Sequence, residues 1–380
     1  MSIAAIICEY NPFHAGHRFQ IEEVRRRFGA DTGVICLMSG NYVQRGEPAV
    51  FDKWSRARTA AEGGADLVLE LPITAAVNAA GYFAAGAVDC LASLGGIDYL
   101  CFGSEGAETE TLLDIARRMD SEEYEAALRE KLSAGVSYAK AREQALSAVG
   151  GNGACLATPN NTLGVDYLRQ LLRRGSAMEP VAIPRKTGLP SASELRTELT
   201  EGGAMIHHLR YGERAMLSVL RTLPDAAFEA MPFGAEGLWS KVMKACRREN
   251  TVTDILAACK SKRYTMSRIK RMLLCLYLGL SEADLNLESP YLRVLAFNDR
   301  GRELLRNLKT TGRIPLISGA VPDTAAAKAF FAMECRATDL YALFAPPGSV
   351  EPSGRERVEG PFYLREKSEN SACNPGKSVL

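Results

Sequence analysis

Net charge is what this 380-residue sequence most plainly lacks: 46 Lys and Arg stand against 45 Asp and Glu, leaving +1 with neutral histidines. That balance excludes a globally basic nucleic-acid coat, so any nucleic-acid surface must be local. No apolar run approaches the ~20 residues that a helix needs to cross a bilayer, and no membrane partner is expected. The N-terminal MSIAAIICEYNPFHAGH places no basic residue before its short apolar run and Glu9 directly after it, which is not the layout of a secretory signal. Ten cysteines are present, yet no two form a CxxC pair, which removes the usual zinc and dithiol motifs, and no protein-held metal is expected. Scattered through apolar segments, they read as reduced, buried thiols of a cytoplasmic protein. Histidine is scarce, with four residues, and there is no internal repeat.

With 47% hydrophobic and 24% charged residues, the composition is that of a globular protein, and the length allows two cores. The first part alternates short apolar runs (Ile3 to Cys8, Val34 to Met38, Leu67 to Leu71, Tyr99 to Phe102) with helical patterns (Arg18 to Phe28, Lys53 to Glu62, Tyr82 to Leu94). That order predicts an α/β fold, a parallel sheet with crossover helices, whose ligands lie beyond the carboxyl ends of the strands. The segments after Cys8, Met38 and Phe102 should therefore converge on one site. Ser121 to Ala148 reads as broken helix packed on that body, and Pro180 to Ile183 as a further apolar run. From Ser193 to about Leu343 the pattern is almost wholly helical. The expected organisation is an α/β domain over 1–200, a helical domain over 201–345 and a flexible, Pro- and Gly-rich tail over 346–380, within which Phe362 to Leu364 could dock locally.

Strand one runs directly into EYNPFHAGHRF. His14 and His17 flank a helix start, and Gly16 allows close backbone approach. Free N–H groups and the positive end of the helix dipole suit phosphate there, and two imidazoles donating to phosphate oxygens would stabilise charge that builds during displacement. Capping or metal-binding histidines are the alternative reading of H-x-G-H. His207 and His208, adjacent in an expected helix, face different directions and read as structural. The loop MSGNYVQRGEPAVFDKW carries Arg45 and Lys53, suited to triphosphate or an RNA backbone, while Arg56 and Arg58 read equally well as a solvated helix face. Between Trp239 and Leu274, ten Lys and Arg (Lys241, Lys244, Arg247, Arg248, Lys260, Lys262, Arg263, Arg268, Lys270, Arg271) face only Glu249 and Asp254. An excess of +8 supports phosphate-backbone contacts to RNA; the alternative is a solvated amphipathic helix pair.

The string EYNPFHAGH followed by MSGNYVQRGEPAVFDKWSRA, ADLVLELP, FGSE and PNNTLGVDYL resembles the bacterial tRNA(Met) cytidine acetate ligase family, a branch of the HxGH nucleotidyltransferase superfamily with a Rossmann-like catalytic domain. The match is strong over residues 1–200 and continues weakly through SPYLRVLAFNDRGRELL and GRIPLIS. The resemblance implies that ATP and acetate give acetyl-adenylate, whose acetyl group passes to the exocyclic N4 amine of the wobble cytidine in elongator tRNA(Met), with Mg²⁺ carried by the nucleotide. It implies catalytic roles for His14, His17 and Arg196. The implied ATP site comprises Ile7, Cys8, Glu9, Tyr10, Asn11, Pro12, Phe13, Ala15, Gly16, Arg18, Phe19, Gln20, Gly103, Asn161 (Asn160 being the other candidate), Arg185, Lys186, Ser191 and Ser193. Arg45, Lys53, Lys241, Lys244, Arg247, Arg248, Lys262, Arg263, Lys270 and Arg271 are the expected tRNA contacts. One departure from the family pattern is that only KTGLP separates Arg185 from the serine motif SASELR. An adenylyltransferase that builds a nucleotide cofactor, or an RNA-binding protein without activity, are the other readings of the residues.

Overall fold

Alternation of residue type along the first strands sorts their side chains onto two faces of one sheet. In β2 (Gly33–Ser39), Ile35 and Leu37 enter one core while Cys36 and Met38 enter the other. Strands buried on both faces need no polar side, which explains the nearly unbroken apolar runs of β1 (Ile3–Cys8) and β2. The structure is a computed structural model and describes residues 1–349 and 351–365.

The short hairpin β3 (Tyr42–Val43) and β4 (Glu47–Pro48) follows β2, and the sheet continues with β5 (Leu67–Leu71), β6 (Tyr99–Ser104), β7 (Glu179–Pro184), β8 (Leu292–Asn298), β9 (Leu316–Ile317) and β10 (Phe362–Leu364). The strand order is β10-β8-β5-β2-β1-β6-β7, with β9 beside β8. From β5 to β7 all neighbours are parallel; β8 runs antiparallel to β5, and β10 parallel to β8. Chain direction through the order reverses between β1 and β6, so the crevice at their carboxyl ends is where an open sheet of this kind binds ligand. The expected α/β class and the predicted strands are found, each within two residues at either end.

Helices α1 (Ala15–Phe28) and α2 (Lys53–Glu62) cover one face, and α3 (Pro159–Arg174) lies on the other with the helices Ala80–Leu94 and Thr109–Arg118. Ser121 to Ala148 forms two helices, Glu122–Ser133 and Tyr138–Ala148, whose Tyr124, Ala145 and Leu146 join that second core. After α4 (Ala192–Glu201) come α5 (Leu238–Arg248), α6 (Val252–Cys259), α7 (Met266–Leu278), α8 (Asp299–Thr311) and α9 (Ala325–Tyr341). Residues from Met216 to Phe344 build a third core, into which Tyr42, Ile73 and Val77 of the sheet domain are packed.

Three expectations need correction. The stretch from Ser193 to Leu343 is not wholly helical: Leu292–Asn298 crosses back into the sheet beside β5, so the chain beyond residue 200 completes the α/β body as well as forming its own core. Residues 351–365 are not a flexible tail: the local docking expected at Phe362 to Leu364 is found as β10 beside β8, and Glu356, in the short helix Arg355–Val358, is buried; residues 366–380 of the expected tail lie outside the described residues. His207 and His208 lie outside any helix or strand, where the His207 N–H donates to Val50 O (2.9 Å) and its ring stacks on Tyr341 (4.2 Å). The nine cysteines among the described residues are all free, seven of them buried.

Candidate active site

The HAGH turn follows the carboxyl end of β1 directly. Tyr10 takes φ +46° and the Asn11–Pro12 bond is cis, after which His14 becomes the N-cap of α1. The chain is tied from both sides: Asn11 Oδ1 accepts from Val50 N (2.8 Å), and Asn11 O accepts from Arg196 Nη1 (2.7 Å). Phe13 is anchored edge-on against Tyr10 (4.9 Å between ring centroids).

The two imidazoles cap their own helix. His14 Nδ1 accepts from Gly16 N (3.0 Å), His17 Nδ1 accepts from His14 N (3.3 Å), and the rings stack at 3.8 Å. A neutral imidazole that accepts at Nδ1 carries its proton at Nε2, so each ring keeps one N–H donor outside the cap. Burial, then His14 and Arg185, push His17 down to about 3. Burial, then Arg185, also lower His14. Both rings are therefore neutral donors near pH 7. Gly16 is required by the rings themselves: a Cβ there would lie 2.8 Å from His14 Cε1. Capping and phosphate binding are thus compatible uses of the same two residues. Among the described residues no three His, Cys, Asp or Glu side chains gather as metal ligands.

Opposite the turn, a Cβ at Gly103 would meet no protein atom within 4 Å. Packing does not require glycine there; its absence of side chain leaves room at the end of β6. Glu105, two residues on, accepts from Asn160 Nδ2 (2.7 Å) and Asn161 N (3.0 Å), while Asn161 Oδ1 accepts from Glu105 N (2.9 Å). The motifs FGSE and PNN therefore interlock at the start of α3. Asn161 is buried and its oxygen is engaged by Glu105, whereas Asn160 is the more accessible of the two. Arg185 stands 3.9 Å from Glu105 with a half-exposed side chain, and Lys186 Nζ lies over the Phe19 ring (5.3 Å). Ser191 caps α4 by accepting from Glu194 N (3.2 Å) while Glu194 accepts from Ser191 N (2.6 Å); Ser193 is exposed beside it. Glu9, Asn11, His14, His17, Arg185 and Arg196 are brought together, with Arg196 near both Asn11 and Glu9 and Arg185 near both rings. Ile7 is buried within the sheet.

The expected RNA surface divides. Lys53 is buried, with Nζ bound to Glu70 (2.6 Å) and Glu356 (2.7 Å), and Arg271 is buried and donates to Gln44 O (3.1 Å). Neither can reach RNA, because each is enclosed by its partners. Arg56 is also no solvated residue: its guanidinium ties together Glu9 O (2.5 Å), Ser39 O (3.1 Å) and Gly40 O, joining the ends of β1 and β2. Lys241 turns inward to Cys259 O (3.1 Å) and Lys270 pairs with Glu47. Arg45, Lys244, Arg247, Arg248, Lys262 and Arg263 are exposed. The pairs Arg247–Asp225, Arg248–Glu249 and Arg263–Glu236 lie at the surface, where ion pairs are weak and exchange readily for phosphate. Glu105 and the anchor Arg56 were given no site role in the sequence, and Asn11, expected at the ATP site, also ties the turn to Val50 and Arg196, because only the tertiary pairing reveals these bonds.

A family model described as HIGH Nucleotidyl Transferase matches residues 1–232 and 190–356. Among curated proteins, the tRNA(Met) cytidine acetate ligase of Acetivibrio thermocellus is 32% identical over 412 residues, covering 94% of this chain and 98% of the relative. That of Thermoanaerobacter sp. (strain X514) is 35% identical over 392 residues, covering 92% and 97%. The crystal structure of Thermotoga maritima TmcAL bound with alpha-thio ATP superposes with a TM-score of 0.85 at 30% identity, over 96% of this chain and 100% of that one.

Proposed function

The chain belongs to the tRNA(Met) cytidine acetate ligase family of HIGH nucleotidyltransferases, and from that premise we propose that it activates acetate with ATP and acetylates the N4 amine of the wobble cytidine of elongator tRNA(Met). The observation that carries the reading is the stacked histidine pair, with both Nδ1 atoms engaged in the cap and both Nε2–H groups left over at the head of α1.

ATP lies across the carboxyl ends of β1 and β6, with its base in the room beside Gly103 and its phosphates on the HAGH turn. Acetate oxygen attacks the α-phosphorus, and the bond to the bridging oxygen of pyrophosphate breaks. His14 and His17 donate to oxygens that gain charge in this step, an electrostatic contribution of the oxyanion-hole kind. Arg185, Lys186 and the Ser191–Ser193 start of α4 hold the outgoing pyrophosphate. Arg196 links the turn to α4 through Asn11 O (2.7 Å), which keeps the two phosphate-binding elements in register. Residues at the turn are N–H donors, suited to phosphate oxygens and not to a hard cation, so Mg²⁺ would be held by the nucleotide. Transfer of the acetyl group to cytidine then releases AMP. The exposed Arg45, Lys244, Arg247, Arg248, Lys262 and Arg263 contact the tRNA backbone, and the reaction takes place in the cytoplasm. Among the described residues no helix is long and apolar enough to cross a membrane.

The test is acetate-dependent exchange between ATP and labelled pyrophosphate. We expect exchange in the native protein and a loss of about 100-fold in His14→Ala or His17→Ala, the size of removing one such donor, with tRNA retention on filters kept. Normal exchange in both variants would remove the histidines from the chemistry.

A further inference from the structure

Glu9 is the first residue beyond β1, two positions before the chain turns toward the histidine pair. A carboxylate beside an anionic triphosphate is electrostatically unfavourable, so its presence asks for a task other than holding phosphate. Its Oε1 accepts from Gln44 N (2.7 Å), which pins the side chain against the β3–β4 hairpin, while Oε2 has no hydrogen-bond partner among the described residues. The other carboxylates around the crevice are committed: Glu105 to the start of α3, Glu47 to Lys270, Glu194 to the cap of α4. Charged groups reach Glu9 from Arg45 in the hairpin, Arg56 on α2 and Arg196 on α4; Tyr167 on α3 faces it as a neutral group.

Given the acetyl transfer proposed above, we infer that Glu9 is the proton acceptor for the cytidine amine. The amine nitrogen bonds to the acetyl carbon, and the bond from that carbon to the adenylate oxygen breaks. AMP departs with the bonding electron pair, and the nitrogen's proton passes to Glu9 Oε2 and on to solvent. Exocyclic cytosine nitrogen is a poor nucleophile, its lone pair being delocalised into the ring, so a base that removes the proton as the bond forms has most to add at this step. Burial raises the Glu9 carboxyl above its ordinary range against the opposing pull of Gln44 N–H and the three arginines, which makes it a stronger base than an exposed glutamate.

The experiment compares native protein, Glu9→Gln and Glu9→Asp in two assays: acetate-dependent ATP–pyrophosphate exchange, and single-turnover transfer from acetyl-adenylate to tRNA. Gln retains an oxygen for Gln44 N–H, and thermal unfolding measured beside the two assays reports that the variant folds. The ratio of transfer to exchange should fall about 100-fold in Glu9→Gln and less in Glu9→Asp, and the rise of transfer rate with pH should disappear in Glu9→Gln. Equal loss in both assays, or transfer that is unaffected, would overturn the assignment. Native protein without exchange would instead overturn the function on which it rests.

Discussion

Replacing Glu356 by Ala should destabilise the fold far more than its place near the C-terminus suggests. Glu356 accepts from Lys53 Nζ (2.9 and 2.7 Å) and Thr338 Oγ1 (2.7 Å), and stands 2.9 Å from Arg293 Nε. Lys53, Arg293 and Glu356 are all buried. Removing one partner of a buried ion pair costs about 3–5 kcal/mol, because the remaining charge is left without compensation. Here Lys53 keeps Glu70 (2.6 Å), whereas Arg293 keeps only a distant Glu70 (3.9 Å), so the loss belongs at the lower end, about 3 kcal/mol. That is a factor of more than 100 in the folded-to-unfolded ratio by the ~1.4 kcal/mol per decade rule. Urea unfolding of native and variant protein at pH 7, followed by tryptophan fluorescence, measures it. Trp54 sits beside the cluster, 5.0 Å from Lys53 Nζ to the ring centroid. A change below about 0.5 kcal/mol, typical of a surface position, would refute the claim that the C-terminal segment is bound in by this cluster.

Two further outcomes follow from the geometry. Burial, then Glu70, push the Glu334 carboxyl up to about 8, and Tyr291 OH donates to it (2.7 Å). The folded state thus holds a proton that the unfolded chain releases near 4.5. Its stabilising share is complete below pH 4.5 and lost as pH rises toward 8. Glu334→Gln should therefore flatten the decline of urea midpoint across that window, and an unchanged slope would contradict it. Gly16→Ala should lower ATP–pyrophosphate exchange about as far as His14→Ala, since the new Cβ meets His14 Cε1 at 2.8 Å, while thermal stability holds because Ala favours helix; normal exchange in Gly16→Ala would show that the ring position is not critical.

What the sequence disclosed is what short-range order controls. The strand-to-helix turn at His14 and His17, the cap at Ser191 and the parallel pattern of the first strands depend on neighbours a few residues away. Lys53 and Arg56 misled for the opposite reason. Lys53 is buried against Glu70 in a strand and Glu356, 303 residues further along, and Arg56 against the carbonyls of Glu9, Ser39 and Gly40 at the ends of two strands, so a charged loop in the sequence becomes the interior of the fold. Leu292–Asn298 was hidden among helices because LRVLAFN, buried on both faces over its first five residues, shows no strand-specific alternation. Glu105 gave no signal, since its partners Asn160 and Asn161 lie 55 and 56 residues away.

Acetate-dependent acetylation of tRNA is measured by incubating the protein with ATP, Mg²⁺, labelled acetate and bacterial tRNA, then digesting the RNA and analysing its nucleosides by mass spectrometry. Label is expected in N4-acetylcytidine from elongator tRNA(Met), with AMP and pyrophosphate formed and with neither His14→Ala nor His17→Ala reaching the native rate. Unlabelled cytidine under conditions where ATP is bound would contradict it.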